Sequence, residues 1–408
     1  MPDVVVVGGG PSGAACAYWL AEAGHDVVVV EKKTYPREKT CGDGLTPRAV
    51  RQLEDMGLAG VLAGHHRFDG LRSIAFGKTL ELAWPETPGF PRYGYVITRH
   101  DLDQIVAERA EKAGATVRDG TEALAPLTED GRVVGVVVRP KEGEEEEVRA
   151  RYVVVADGSL SRFGRALGTS RNRAYPLGMA IRGYYESPRH DEPWIESHLD
   201  VRDAGGNVLP GYGWIFPLGD GRINVGVGLL STFRGWRDVN TTRLMEAFTH
   251  HAPGSWDIRP ETSCGAPTGG KLPMGLSVGP RTGPGWIVAG DAGGLINPFN
   301  GEGIAYAYET GRMAAEAVAG AMAGGDLAAY DQRLQEEYAL YFKVARAFVR
   351  VIGRPVLMKA LVDTGMRSRT LMEWVLRIMA NLLRPDELGP AEAAYKAVAA
   401  LARMAPAR

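Results

Sequence analysis

An α/β fold, with a parallel-sheet domain at the N-terminus, an antiparallel-sheet domain and a helical C-terminal region, is what three features of this 408-residue sequence predict. The first is a short β-branched run, Val4–Val7, that enters the glycine turn Gly8–Gly13, then a small-residue helix former over 14–23, then Val27–Val30. The second is a change of texture from about 170 to 270, where Trp, Tyr and alternating polar residues stand between Pro and Gly turns. The third is the last eighty residues, which read as helical and unlike the rest.

Strand, glycine turn, helix and strand form a βαβ unit. Its right-handed crossover implies a parallel sheet with a ligand crevice at the strand C-termini. Residues 98–114 read as a helix entered from a strand, with acidic residues in its first half. Residues 117–123, 133–139 and 148–156 read as strands, and the charge-rich stretch 141–147 reads as a solvated hairpin tip. The run 152–156 ends in Asp157-Gly158. Within 170–270, residues 179–185, 194–201, 213–216 and 223–229 alternate as strands of an antiparallel sheet. The first texture returns at 286–289, followed by Gly290-Asp291 and a helix from about Gly303. The predicted division is therefore 1–75, 98–168 and 270–330 as one discontinuous cofactor domain, 76–97 and 169–269 as the substrate domain, and 331–408 as the helical region.

Composition excludes several classes. A formal net charge of −2 argues against a chain built as a whole for nucleic acid. Three distant cysteines, Cys16, Cys41 and Cys264, form neither a disulfide framework nor a CxxC pair, which fits a reducing compartment. The N-terminal apolar run has no basic residue before it and stops after four residues, so no signal peptide is expected. No window is long and apolar enough for a membrane span. The histidine pairs 65–66 and 250–251 are adjacent in sequence and share no face, so no metal site is expected. Glycine, at 53 residues, is nearly twice its usual share and clusters between apolar runs, as where a backbone must approach a ligand.

Gly8-Gly9-Gly10-Pro11-Ser12-Gly13 satisfies G-x-G-x-x-G at the strand–helix junction that the motif requires. Gly8 makes the turn, Gly10 admits a pyrophosphate, Gly13 lets helix and strand pack, and the helix N-terminus around Ser12 holds phosphate charge. Glu31, followed by Lys32, stands at the end of the next strand, placed for an adenosine ribose. Asp291, followed by Pro298-Phe299-Asn300-Gly301-Glu302-Gly303-Ile304 and a helix, suits a ribityl chain and aims a positive helix end at a flavin ring. FAD is thus favoured over NAD, with Asp157-Gly158 and Arg162 as a third element.

These three elements resemble the glutathione-reductase-type, Rossmann-like FAD-binding domain of the p-hydroxybenzoate hydroxylase fold. Tyr212-Gly213-Trp214-Ile215-Phe216-Pro217, then eight residues and Gly226-Val227-Gly228, resembles the YxWxFP…GxG signature of the geranylgeranyl reductase family. Cys41-Gly42-Asp43-Gly44-Leu45 resembles its CGxGL loop. The likeness spans 1 to about 330. It implies FAD contacts at Gly13, Glu31, Cys41, Gly42, Gly44, Arg99, Ala123, Asp291, Gly303 and Ile304, and prenyl-chain contacts at Tyr212, Trp214 and Phe216. The implied activity is saturation of isoprenoid C=C bonds in a prenyl lipid, first among them one isoprene unit of a menaquinone side chain, or geranylgeranyl groups.

An isolated alkene has no carbonyl to withdraw the charge of an added hydride, so a proton must be supplied. Cys41 is the first candidate donor and Glu302 the second. One dinucleotide motif and three cysteines leave no second nucleotide domain and no iron–sulfur cluster, so electrons are expected from NAD(P)H or an electron-carrier protein. Between Lys343 and Arg384 nine basic residues face two acidic ones, a net +7, interleaved with apolar residues. That pattern fits either packing on the body of the protein or peripheral contact with an anionic membrane, at the inner face of the cell membrane for a cytoplasmic protein. Two other functions stay open: a flavin monooxygenase or halogenase, whose WxWxIP motif differs here at Tyr212 and Phe216, and a flavin or prenyl-lipid carrier without catalysis. Oligomeric state is not legible.

Overall fold

The computed structural model describes residues 1–209, 211–383 and 389–404. Arg384, one of the basic residues counted above, lies outside the described residues.

The chain begins as expected with β1 (Val4–Val7), α1 (Pro11–Glu22) and β2 (Val27–Val30). A long excursion follows: β3 (Gly44–Leu45), α2 (Pro47–Asp55), α3 (Ala59–Leu62), β4 (His66–Phe68), β5 (Gly70–Ala75), β6 (Lys78–Ala83) and β7 (Gly94–Val96). The predicted helix is α4 (Arg99–Lys112), capped by Thr98, whose hydroxyl accepts from the Asp101 amide. Then come β8 (Thr116–Arg118), β9 (Thr121–Glu129), β10 (Arg132–Pro140), β11 (Glu146–Arg149), β12 (Tyr152–Val155) and the short α5 (Arg162–Ala166).

The antiparallel region supplies β13 (Ser170–Arg171), β14 (Leu177–Glu186), β15 (Trp194–His198), β16 (Gly211–Pro217), β17 (Arg222–Leu230), α6 (Thr241–His251), β18 (Thr268–Pro273) and β19 (Val278–Gly279). The chain returns through β20 (Thr282–Gly283) and β21 (Trp286–Val288) to α7 (Ile304–Met322). It ends in α8 (Ala328–Ile352), α9 (Pro355–Gly365), α10 (Arg369–Met379) and α11 (Pro390–Met404).

Among the described residues, the cofactor-type sheet runs β20-β21-β12-β1-β2-β8, parallel except at β20. The strand β1 is central and wholly buried, so its four valines read as a continuous apolar run. Because the order reverses at β1, the crevice opens at its carboxyl end, where the glycines stand. Two predicted strands are each two strands. Residues 117–123 break at Asp119-Gly120, where Gly120 has φ +62, and residues 148–156 break at Ala150-Arg151. In both cases one half joins the six-stranded sheet and the other the β11-β10-β9 sheet, so the chain must turn between them.

The second sheet, β18-β14-β17-β16-β15-β5-β6, is antiparallel except for β5 beside β15. It takes β5, residues 70–75, from the span assigned to the cofactor domain, while β7 pairs with β3 and β4 rather than with β6. Local alternation cannot reveal this, because it is blind to which distant strand supplies the partner. Among the described residues no helix is long and apolar enough to cross a membrane.

Candidate functional site

The site begins where β1 meets α1. Gly8 sits at φ +98, and a Cβ there would stand 2.5 Å from the Ala156 carbonyl oxygen. At Gly13 a Cβ would come within 1.9 Å of the Gly8 oxygen, so only hydrogen permits the crossing. Gly10 is the N-cap of α1 and has no capping side chain, which leaves amides free. Two guanidiniums, of Arg37 and Arg99, come within 4.0 Å of where its Cβ would be. Arg99 is held in a two-point ion pair with Asp103 (2.7 and 2.8 Å), and Arg37 reaches Asp103 (3.0 Å) and Glu31 (3.4 Å). Glu31 itself is buried, accepting from the Gly9 amide (2.9 Å) and the Lys33 amide (3.0 Å).

The other predicted elements converge on the same turn. A Cβ on Gly290 would lie 2.8 Å from the Ser12 Cβ, so Asp291 stands beside the start of α1. It also lies against Gly303, the uncapped N-cap of α7, whose Cβ would be 3.3 Å from Asp291 Oδ1. Asp157 follows β12 and lies against Gly8, and burial raises the pKa of its carboxyl.

Four buried atoms along this path have no partner: Ser12 Oγ, Asp157 Oδ1, Glu302 Oε2 and Tyr308 Oη. A buried polar atom left unpaired costs about 1–3 kcal/mol. Their alignment with free helix amides and two guanidiniums fits a dinucleotide that carries phosphates and hydroxyls. The residues present therefore fit FAD.

The loop Cys41–Gly44 lies beside Arg99. Asp43 is fully buried at φ 64 and is pinned from three sides by the Tyr184 hydroxyl (2.5 Å), the Asn224 amide (2.8 Å) and the Arg99 backbone amide (3.3 Å). Burial pushes its carboxyl up to about 6, against the pull of those donors and of Arg182. Asn224 also donates to the Cys41 carbonyl (2.9 Å) and accepts from the Trp214 indole (2.9 Å). Burial, then Asp43, push the Cys41 thiol up, so it holds its proton at neutral pH.

Tyr212, Trp214 and Phe216 alternate along β16 and share one face, with ring centroids 5.8 and 6.4 Å apart. Across the ladder Tyr212 faces Gly228, Trp214 faces Gly226 and Phe216 faces Asn224. Phe216 lies on Gly42 and Gly44 and Trp214 on Gly42, where a Cβ would stand 3.0–3.4 Å from the nearest ring atoms. The Tyr212 hydroxyl donates to the Asn300 carbonyl (2.6 Å), tying the sheet to the loop before α7. Glu302, in that same loop, accepts from the hydroxyl of Thr46, the N-cap of α2. Burial pushes Glu302 up to about 7, against Thr46 and Arg48. Gly301 sits near Tyr212, and Ile304 begins α7.

Some predicted positions stand apart. Lys32 and Arg162 are exposed, and Ala123 lies on β9, packed against the core cluster that contains Val7, Val30 and Val155. Sequence reasoning passed over Arg37, Asp43, Asn224, Thr46 and Tyr308. Asp43 was visible inside its glycine loop and Asp103 four residues after Arg99, but their partners come from distant strands.

A family model described as an FAD binding domain matches residues 1–200. The chain is 42% identical over 387 residues to a menaquinone reductase of Mycolicibacterium smegmatis, covering 94% of this chain and 93% of that protein. It is 32% identical over 364 residues to digeranylgeranylglycerophospholipid reductase 1 of Methanopyrus kandleri, covering 86% and 90%. A geranylgeranyl bacteriochlorophyll reductase-like crystal structure from Thermoplasma acidophilum superposes with TM-score 0.79 at 24% identity, over 97% of this chain and 99% of that one.

Proposed function

The chain belongs to the geranylgeranyl reductase family of FAD-binding oxidoreductases, and from that premise we propose that it saturates C=C bonds of a prenyl lipid, one isoprene unit of a menaquinone side chain before geranylgeranyl groups. The observation that carries this reading is the aromatic ladder Tyr212–Trp214–Phe216 laid directly on the Cys41–Gly44 loop and bonded to the loop before α7. An apolar chain running along those rings ends beside a thiol and a carboxyl that both keep protons near neutrality.

FAD, when bound and reduced, supplies the hydride. Gly10, Ser12, Gly13 and Arg99 would hold its phosphates, Glu31 its adenosine ribose, Asp291 its ribityl chain and the start of α7 its ring. Cys41 gives its proton to one alkene carbon while the other takes the hydride, and Arg99 and Lys39 favour the thiolate left behind. Glu302 is the second candidate acid. The rings of β16 exclude water and hold the alkene in place. Electrons come from NAD(P)H or an electron-carrier protein, and the C-terminal helices rest on a membrane that presents the substrate.

Tyr212 and Phe216 disfavour the halogenase reading of the same fold. The test is anaerobic: photoreduced holoenzyme is mixed with detergent-dispersed menaquinone. Reoxidised flavin with a product two hydrogens heavier supports the reductase. Binding without reoxidation makes it a carrier, and a product with added oxygen under air makes it an oxygenase.

A further inference from the structure

Away from the aromatic ladder, an open cavity of about 570 Å³ lies between the loop after β13, the loop after β17 and the junction of α8 with α9. Four arginines line it, Arg173, Arg234, Arg350 and Arg354, and no carboxylate does. Among the described residues none of the four takes part in a salt bridge, and the one hydrogen bond their side chains make is a long contact from Arg350 to the Ala174 carbonyl (3.5 Å). All four are exposed.

This arrangement is electrostatically unfavourable for the protein alone. Arg346 and Arg350 stand one turn apart on α8, which places like charges side by side, and Arg354 is the N-cap of α9 just beyond them. Burial, with Arg350 adding to it, lowers the pKa of Arg346, and burial together with Arg173 lowers that of Arg171. Arg346 finds partners elsewhere, stacking on Tyr175 (4.2 Å) and donating to the Gly275 carbonyl (2.7 Å). The four lining arginines have nothing comparable. The walls that carry them are fixed: the Thr232 hydroxyl donates to the Val349 carbonyl (3.0 Å), and a Cβ on Gly353 would meet the Thr232 carbonyl at 2.9 Å. The first turn of α9, which starts at this rim, has no acidic residue and no side-chain cap.

The rim is also greasy. Val351 lies in the last turn of α8 at 42% exposed, Val356 in the first turn of α9 at 80%, and Leu357 and Leu361 follow at 40% and 49%. Met358 and Gly365 of α9 are buried and Val362 packs against the core, so the helix is seated on the body and leaves Val356, Leu357 and Leu361 exposed. Guanidiniums match a phosphate in bidentate geometry, and exposed Val and Leu beside them match acyl chains rather than water.

We propose that this arginine-lined cavity receives the phosphate of an anionic phospholipid in a bilayer, with Val351, Val356, Leu357 and Leu361 dipping into the acyl layer beside it. The inference rests on the reading that the C-terminal helices lie on a membrane, and it names the contact that fixes them there. The site is separate from the reductive one.

The test uses holoenzyme and vesicles of phosphatidylcholine with and without phosphatidylglycerol, followed by co-sedimentation. Wild type is expected to bind the anionic vesicles, more weakly as salt rises, and to leave the neutral ones. The double variant Arg350→Gln/Arg354→Gln is expected to lose roughly tenfold or more in vesicle affinity, while its melting temperature and its turnover of detergent-dispersed menaquinone stay at wild-type values. Val356→Asp should also weaken vesicle binding. Should the double variant bind anionic vesicles as wild type does, the cavity is not the lipid site although the membrane reading stands. Should wild type bind no vesicles, both fall. Saturable binding of inorganic phosphate or glycerol phosphate to wild type without vesicle binding would mark a free-anion site and overturn the lipid assignment. None of these outcomes touches the prenyl-reductase reading, which the detergent assay decides alone.

Discussion

Trp214 stands directly across the β16–β17 ladder from Gly226, and a Cβ on that glycine would lie 2.1 Å from the indole. The two halves of the signature, separated by eight residues, are thus one packing unit, in which the glycine vacates the space that the tryptophan fills. The indole, so placed, donates to Asn224, which in turn holds Asp43 and the Cys41 carbonyl. Gly226→Val should therefore displace the indole and loosen the cysteine loop together. We expect a loss of about 1–3 kcal/mol in unfolding free energy and a larger fall in turnover than in FAD content. Denaturant melts and flavin absorbance measure these separately.

Cys41→Ala is expected to retain FAD and lose turnover by about a hundredfold or more, the usual weight of a positioned acid. Cys41→Ser keeps a proton but a poorer one, and should fall between the two. Single-turnover reoxidation of reduced enzyme by menaquinone reads the step directly. If Cys41→Ala turns over like wild type with flavin bound normally, the proton comes from elsewhere.

Burial pushes Glu302 up to about 7, so it carries a proton to give below that value. If it feeds the proton, turnover should decline as pH rises through about 7, and Glu302→Gln should be slow at every pH with that limb absent. An unchanged limb in the variant would assign it to another group.

Stability should carry the same signature. Burial raises the folded pKa of Asp43 and Glu302, so each binds its proton more tightly in the folded state. Their contribution is complete below the unfolded values near 4 and is lost as pH rises through about 6 for Asp43 and about 7 for Glu302. Denaturant melts of flavin-free protein should show unfolding free energy from these groups falling by a few kcal/mol across that window, because each tenfold gain in proton affinity on folding is worth about 1.4 kcal/mol. Glu302→Gln should flatten the upper part.

Gly13→Ala should abolish FAD retention, because the added carbon would overlap the Gly8 carbonyl that shapes the phosphate turn. Purified variant is expected to be colourless, with a melting temperature that no longer rises on addition of FAD.

Much of the molecule was legible because its signals are local. The turn Gly8–Gly13, the acid after β2, the helix 98–114 and the return through Asp291 to α7 each announce themselves within a few residues, and each stands where the pattern put it. The breaks at Asp119-Gly120 and Ala150-Arg151 escaped, since an apolar run does not show where it leaves one sheet for another. The passage of β5 into the second sheet escaped for the same reason.

The sequence by itself determined the cofactor cradle and the family, because glycine spacing, strand–helix alternation and a few acidic residues are constraints on neighbouring backbone. Only the tertiary structure decided what surrounds Cys41 and Glu302. Asp43 is pinned by Tyr184 and Asn224, residues 141 and 181 positions away, Glu302 meets Thr46 across 256 positions, and the four arginines come together from three separate segments. Burial sets the protonation of the first two sites, and an unbalanced charge marks the third. Both properties belong to the assembled volume, since dielectric and field depend on every group that packing brings near, and no stretch of chain contains them.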